Sequence, residues 1–197
     1  KEMLYLNIGD PNLYDFVPPK HLVDATYQAM LKNLNGYAPS SGIGEAVKAI
    51  EAEAERKGIT NVHDIFGTTG ASEAIDICLP ALVNDGENVL TPTPGYPLYT
   101  AIASKLQMME NPYYLDESNG WLPDIGDIKS KINDKTKAIV LINPNNPTGS
   151  LYTRENLQQI VDLALEHNLV IFADEIYDKL LFDGKKHISI ASLNKDV

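Results

Sequence analysis

The chain has 197 residues, with 16 Lys plus Arg against 27 Asp plus Glu, a formal charge of −11 and a sequence pI near 4.7. An apolar fraction of 44% is too high for a disordered chain, and the acidity excludes the basic face that a nucleic-acid backbone requires. A single cysteine, Cys78, leaves no intrachain disulfide, no apolar run approaches the roughly 20 residues that span a bilayer, and no signal peptide opens the chain; the expectation is a soluble cytoplasmic protein with a packed core.

The first forty residues read as irregular apart from a helix over 20–34, with Pro18 and Pro19 just before its start. From Gly44 the pattern changes to helix and strand in alternation. Ala46, Val47, Ile50 and Ala54 recur at helical spacing opposite Glu45, Lys48, Glu51 and Glu55, and Gly58 marks the end of that helix. A short strand is expected over 64–69, a helix over 72–83 with Cys78 on its core face, a strand over 88–91, a helix over 98–106, an extended segment over 107–115 and a short helix over 124–132. Ala138 to Ile142 is an apolar run without polar alternation, the pattern of a strand covered on both faces. Thr153 caps a helix whose Leu157, Ile160, Val161 and Ala164 share a face, His167 and Asn168 suit its end, and Leu169 to Ala173 is a second apolar strand. The fold class that follows is α/β, three layers α/β/α around a mostly parallel sheet.

Ligands of open α/β sheets sit beyond the carboxyl ends of the strands. Four segments should meet there. Gly70, Ala71 and Ser72 form a small-residue turn at a helix N-terminus, where free N–H groups and the helix dipole favour phosphate. Tyr96 offers an aromatic face, Asn146 an amide donor, and Asp174 a carboxylate at a strand end, with the Tyr177 phenol three residues on. A phosphate cradle, a stacking ring, an oxyanion donor and a carboxylate together describe a site for pyridoxal 5'-phosphate, with the carboxylate holding the pyridine nitrogen protonated. Gly42 and Gly44 are half of a dinucleotide fingerprint and lack the strand and third glycine it needs. His21, His63, His167 and His187 are scattered, without metal-ligand spacing.

Taken together, Asn143-Pro144-Asn145-Asn146-Pro147-Thr148-Gly149, Ala173-Asp174-Glu175-Ile176-Tyr177, Gly95-Tyr96-Pro97-Leu98-Tyr99 and Gly36-Tyr37 resemble the class I/II aminotransferases of the aspartate aminotransferase fold, fold type I, and most of all the alanine aminotransferase group. The likeness runs from Leu6 to Ala191. It implies that Ala71 and Ser72 bind phosphate, that Tyr96 stacks on the ring, that Asn146 and Tyr177 bond the ring oxygen and that Asp174 partners the pyridine nitrogen, with Asp174 and Tyr96 serving catalysis. It further implies that Tyr37 reaches the phosphate of a neighbouring subunit in a homodimer and that Gly9 and Asn146 lie against substrate. The implied activity moves an amino group between a small L-amino acid, alanine first, and a 2-oxo acid, 2-oxoglutarate first. Other fold-type-I activities (a carbon–sulfur lyase, a decarboxylase, an aminocyclopropane-type synthase) and a non-catalytic effector-sensing domain share these residues.

The resemblance also implies a lysine that binds the cofactor covalently, in a serine-x-x-lysine segment after the aspartate and tyrosine. Lys195, in Ser192-Leu193-Asn194-Lys195, has that spacing but no apolar strand before it. The expectation is therefore an N-terminal half: an arm and small-domain segment over 1–41, and a cofactor-binding domain over 42–197 that ends before the lysine and is inactive alone. Two strands that follow in the family are expected between the first strand and the Ile142 strand, so that the sheet has a gap there.

Overall fold

The computed structural model describes Met3 and residues 9–195. Backbone contacts divide the chain into two units, Lys1–Pro39 and Ser40–Val197. In the first unit a 3-10 turn, Pro11–Tyr14, is capped by the Asp10 carboxylate on the Asn12 N–H, and α1 spans Lys20–Leu31. None of the residues of α1 is buried.

In the second unit the order is α2 (Gly44–Arg56), α3 (Gly70–Leu82), β1 (Asn88–Thr93), α4 (Pro97–Lys105), β2 (Met109–Asp116), β3 (Leu122–Pro123), α5 (Ile125–Lys131), β4 (Thr136–Ile142), α6 (Arg154–His167) and β5 (Val170–Asp174). The sheet order is β3-β2-β1-β4-β5, with all neighbours parallel except β3, which runs antiparallel to β2. Alternation along β4 divides the core. Ala138, Val140 and Ile142 face a cluster with Ile75 and Leu79 of α3 and Tyr99 and Ile102 of α4. Ile139 and Leu141 face the opposite cluster, with Ile128 of α5 and Leu157, Ile160 and Val161 of α6. The three layers expected from the sequence are therefore present.

Local signals account for the best-defined helix. Thr153 accepts from the Asn156 N–H at the start of α6, and Asn168 closes it in the left-handed conformation at φ 53°. Gly58 likewise takes φ 77° just past α2, where that helix was expected to stop.

Four expectations fail. No strand forms over 64–69; a strand needs a neighbour for its backbone groups, and Gly67 instead donates its N–H to Ser41 O at 2.8 Å. The Ile142 strand is paired on both sides, by β1 and β5, so the open edge lies at β5 and not beside Ile142. β5 is as apolar as β4, yet its residues are only half-buried or exposed because, among the described residues, nothing pairs with its outer edge. Cys78 is exposed: Ile75 and Leu79, one turn apart, take the core face of α3 and turn Cys78 aside. The apolar stripe of α2 is similarly uncovered, with Ile50 at 43% exposure.

Candidate active site

The loops after β1, β4 and β5 converge at the carboxyl edge of the sheet. Between them lies a cavity of about 140 Å³ lined by Tyr96, Ile142, Asn146, Asp174, Ile176 and Tyr177. Three separate strand ends thus bring together four of the residues singled out from the sequence. Wider depressions lie elsewhere, one at Thr136, Lys137 and His167 near the start of β4, and hold none of the candidates.

Each loop has its own local cause. After β1 the chain doubles back so closely that a Cβ on Gly95 would collide with the Pro92 carbonyl oxygen, so only glycine fits before Tyr96. Pro97 then opens α4, where its fixed φ and missing N–H cost nothing. The loop after β4 is organised by Asn145, whose Oδ1 accepts from Thr148 N (3.1 Å) and Thr148 Oγ1 (2.8 Å), while its backbone pairs with Ser150 O and Gly149 N. That frees the next residue, Asn146, whose side chain makes no hydrogen bond within the described chain. The hydroxyls of Tyr96 and Tyr177 are also unbonded. The cavity therefore presents an amide and two phenols ready for a ligand.

Asp174 is half-buried and held from two sides. Tyr99 donates its hydroxyl to Asp174 Oδ2 at 3.0 Å, and the Ile176 N–H donates to Oδ1 at 3.3 Å. Burial, and then the Asp174 charge, push the Tyr99 phenol well above its ordinary pKa, so it remains a donor. The sequence reading quoted Tyr99 within a motif without giving it a role. Its signal was spacing: Tyr96 and Tyr99 lie one helical turn apart at the start of α4, so both can reach the same strand end.

Gly70, Ala71 and Ser72 do not line this cavity. Ala74, Ile75 and Cys78 of the same helix line, with Tyr99, another cavity that shares Asp174 with this one, so the first turn of α3 lies a turn away from that wall. Its N-terminus already carries a negative group, because the Glu73 carboxylate accepts from the Thr69 N–H. Lys195 is exposed, its carbonyl accepts from Asn61 Nδ2 at 3.3 Å, and it lines no part of the cavity. Gly9 is exposed and nothing lies within 4 Å of where its Cβ would be; Ile8, quoted beside it, falls outside the described residues. The Tyr37 ring is fully exposed.

A family model described as Aminotransferase class I and II matches residues 1–197. The chain belongs to that family. Glutamate-pyruvate aminotransferase AlaA of Haemophilus influenzae is 48% identical over 202 residues, covering 100% of this chain and 49% of the relative. Alanine aminotransferase of Mycobacterium tuberculosis is 46% identical over 198 residues, covering 99% and 46%. Among solved structures, an aminotransferase from Escherichia coli superposes with a TM-score of 0.93 at 44% identity, covering 98% of this chain and 48% of that one. The chain spans about half the length of the curated relatives it matches.

Proposed function

We propose that this chain forms the pyridoxal 5'-phosphate site of an aminotransferase that moves an amino group between a small L-amino acid, alanine foremost, and a 2-oxo acid, 2-oxoglutarate foremost. The observation that carries the reading is the single cavity onto which Tyr96, Asn146, Asp174 and Tyr177 open from three strand ends. Its volume of about 140 Å³ suits one six-membered aromatic ring, since an apolar cavity of about 150 Å³ takes a benzene. Its donors also suit such a ring. A half-buried carboxylate without a cationic partner among the described residues wants a positively charged N–H opposite it, and an unpaired amide and phenol want an anionic oxygen.

In this reading Asp174 holds the pyridine nitrogen, Tyr96 covers the ring face, and Asn146 and Tyr177 donate to the ring oxygen. Tyr99 keeps the Asp174 carboxylate turned toward the cavity. When bound, the group supplies an electron-accepting ring that eases removal of a proton from the amino acid Cα. Ala71 and Ser72, with Gly70, offer the phosphate the N-terminal amides of α3, of which Glu73 has claimed the preceding Thr69 N–H. Gly9 and Asn146 are proposed to face the substrate. The exposed Tyr37 ring is proposed as the contribution of one subunit to the phosphate of the other in a homodimer. The similarity to proteins named for alanine and glutamate-pyruvate transamination supports alanine as donor.

Titration with pyridoxamine 5'-phosphate, followed by the fluorescence polarisation of the ligand itself, tests the site. Saturable binding is expected in the wild-type chain. Asp174→Ala should weaken it about tenfold to a hundredfold, the 1.5–3 kcal/mol of a hydrogen bond to a charged group, and Asn146→Ala about tenfold. Equal affinity in all three proteins would overturn the assignment.

A further inference from the structure

We propose that His187 and Glu175 form a brace that fixes the distance between the two loops carrying Asn146 and Tyr177, making His187 a positioning residue for the cavity. The proposal rests on the cofactor reading for its consequence, though the brace itself is a matter of geometry.

β4 and β5 stay in register as far as Ile142 opposite Asp174, and a last rung follows, from Asn143 N to Asp174 O at 2.9 Å. Beyond that point the strands part, and the sheet ladder no longer sets the spacing of residues 143–149 against 175–179. A third segment, 187–190, takes over. His187 Nε2 lies 3.1 Å from Asn143 O; the partner is a carbonyl, so the nitrogen carries the hydrogen and donates. Three residues on, the Ile190 N–H donates to Glu175 Oε1 at 3.0 Å. The same carboxylate oxygen lies 3.9 Å from His187 Nε2, and the two side chains are 7% and 13% exposed. One short segment therefore bonds both loops at once, from a position water barely reaches.

The brace is anchored at both ends. Ser189 and Ile190 are buried, and Ile190 packs in the core cluster of Leu157 and Ile160. On the other side Lys57, from the end of α2, bonds Asp178 Oδ2 at 2.7 Å and faces Glu175 Oε2 at 3.9 Å. Asn143 is the common node. Its N–H goes to β5, its carbonyl to His187, and its Oδ1 accepts from Tyr152 N at 2.9 Å. The bond satisfies a buried ring N–H and, because its acceptor lies 44 positions away, ties the two segments together.

Hydrogen-exchange mass spectrometry of the unliganded chain tests the brace directly. Replacement of the imidazole by a ring without a donor, His187→Phe, should speed exchange over 143–152 and 175–178 about tenfold, the effect of one lost hydrogen bond, and leave β1 and β2 unchanged. His187→Gln, whose amide can donate to the same carbonyl, should return exchange to within about threefold of wild type. The affinity for pyridoxamine 5'-phosphate should follow the same order, weaker by about tenfold in the Phe variant and largely restored in the Gln variant. Unchanged exchange in His187→Phe overturns the brace, as does loosened exchange with undiminished affinity or a Gln variant as loose as Phe. If the wild-type chain binds no pyridoxamine 5'-phosphate, the cofactor reading fails while the exchange result still decides the brace. Lys57→Ala, at the half-exposed outer end, keeps the test open should the buried variants not fold: it must loosen 175–178 about threefold and spare 143–149, and no change at 175–178 counts against the proposal.

Discussion

The hydrogen bond from Tyr99 to Asp174 joins the beginning of α4 to the end of β5 and can be measured without any ligand. Tyr99→Phe removes the hydroxyl and little else. A hydrogen bond to a charged group contributes about 1.5–3 kcal/mol when buried. Tyr99 is buried but Asp174 is only half so, and water can replace part of what the carboxylate loses; the expected cost is therefore about 1–1.5 kcal/mol. Packing changes in the ring are separated from this by a double-mutant cycle with Asp174→Ala, read from urea midpoints at constant slope. The coupling between the two should be about 1 kcal/mol. The alkaline limb supplies an independent sign. The folded phenol holds its proton above the ordinary value of 10, so above that pH the folded state binds more protons than the unfolded one and its stability falls as pH rises. The stabilisation from Tyr99 is thus complete below pH 10 and lost above it, and Tyr99→Phe must flatten the alkaline slope by one group's share. Tyr113 and Tyr152 are also raised, chiefly by burial, so some slope remains. A cycle that adds up to within about 0.3 kcal/mol, or an alkaline slope unaltered by the substitution, would refute the coupling.

Two further predictions concern the frame. Leu157→Ala, at a fully buried position of α6, should cost about 2–5 kcal/mol in urea unfolding, whereas Ile50→Ala on the uncovered stripe of α2 should stay within about 0.5 kcal/mol of wild type; comparable losses would mean that the α2 stripe is packed. Glu53 carries a pKa lowered to about 2, first by the hydrogen bond from Lys179 and then by that from Arg56. A depressed carboxylate stabilises the fold fully above its ordinary value of 4.5 and ceases to as pH falls towards 2. Thermal melts of wild type and Glu53→Gln should therefore differ at neutral pH and converge over that acid window, and a difference independent of pH would contradict the sign.

Much of the architecture was legible because its signals are local. The apolar run of β4, the Thr153 cap and the left-handed Asn168 each determine structure within a few residues, and all three stand where the sequence placed them. Segment 64–69 shows where local reading stops. Its composition suits a strand, but a strand exists only through a neighbour, and none of the five strands pairs with it. Cys78 fails for a related reason: helical periodicity places it near Ile75 and Leu79, while the choice between them depends on which flank meets the sheet. The candidate site divides in the same way. Tyr96, Asn146, Asp174 and Tyr177 carry unmistakable chemistry at strand ends. Tyr99 acts through a partner 75 positions away, which only its place one turn after Tyr96 hints at, and His187 through one 44 positions away, which no spacing announces.

The register of β5 explains why these remote partners meet. Side chains alternate along a strand, so Asp174 shares a face with Phe172, and Phe172 packs against the cluster that includes Tyr99 and Ile142. Pairing Ile142 with Asp174 then puts the carboxylate on the side of the sheet where the Tyr99 phenol waits and where Ile142 floors the cavity. Glu175, one residue on, begins the turn away from the sheet and meets the Ile190 N–H and Lys57 instead. Two adjacent carboxylates thus acquire different tasks from the strand that ends at Asp174 and the turn that begins at Glu175, one addressed to a ligand and the other to the brace. A one-residue slip of β5 against β4 would exchange them, leaving Asp174 without its phenol and Glu175 without its amide. The apolar residues that lock the register, Ile171 against the α6 side and Phe172 against the α3 and α4 side, are therefore as necessary to the site as the polar groups that line it.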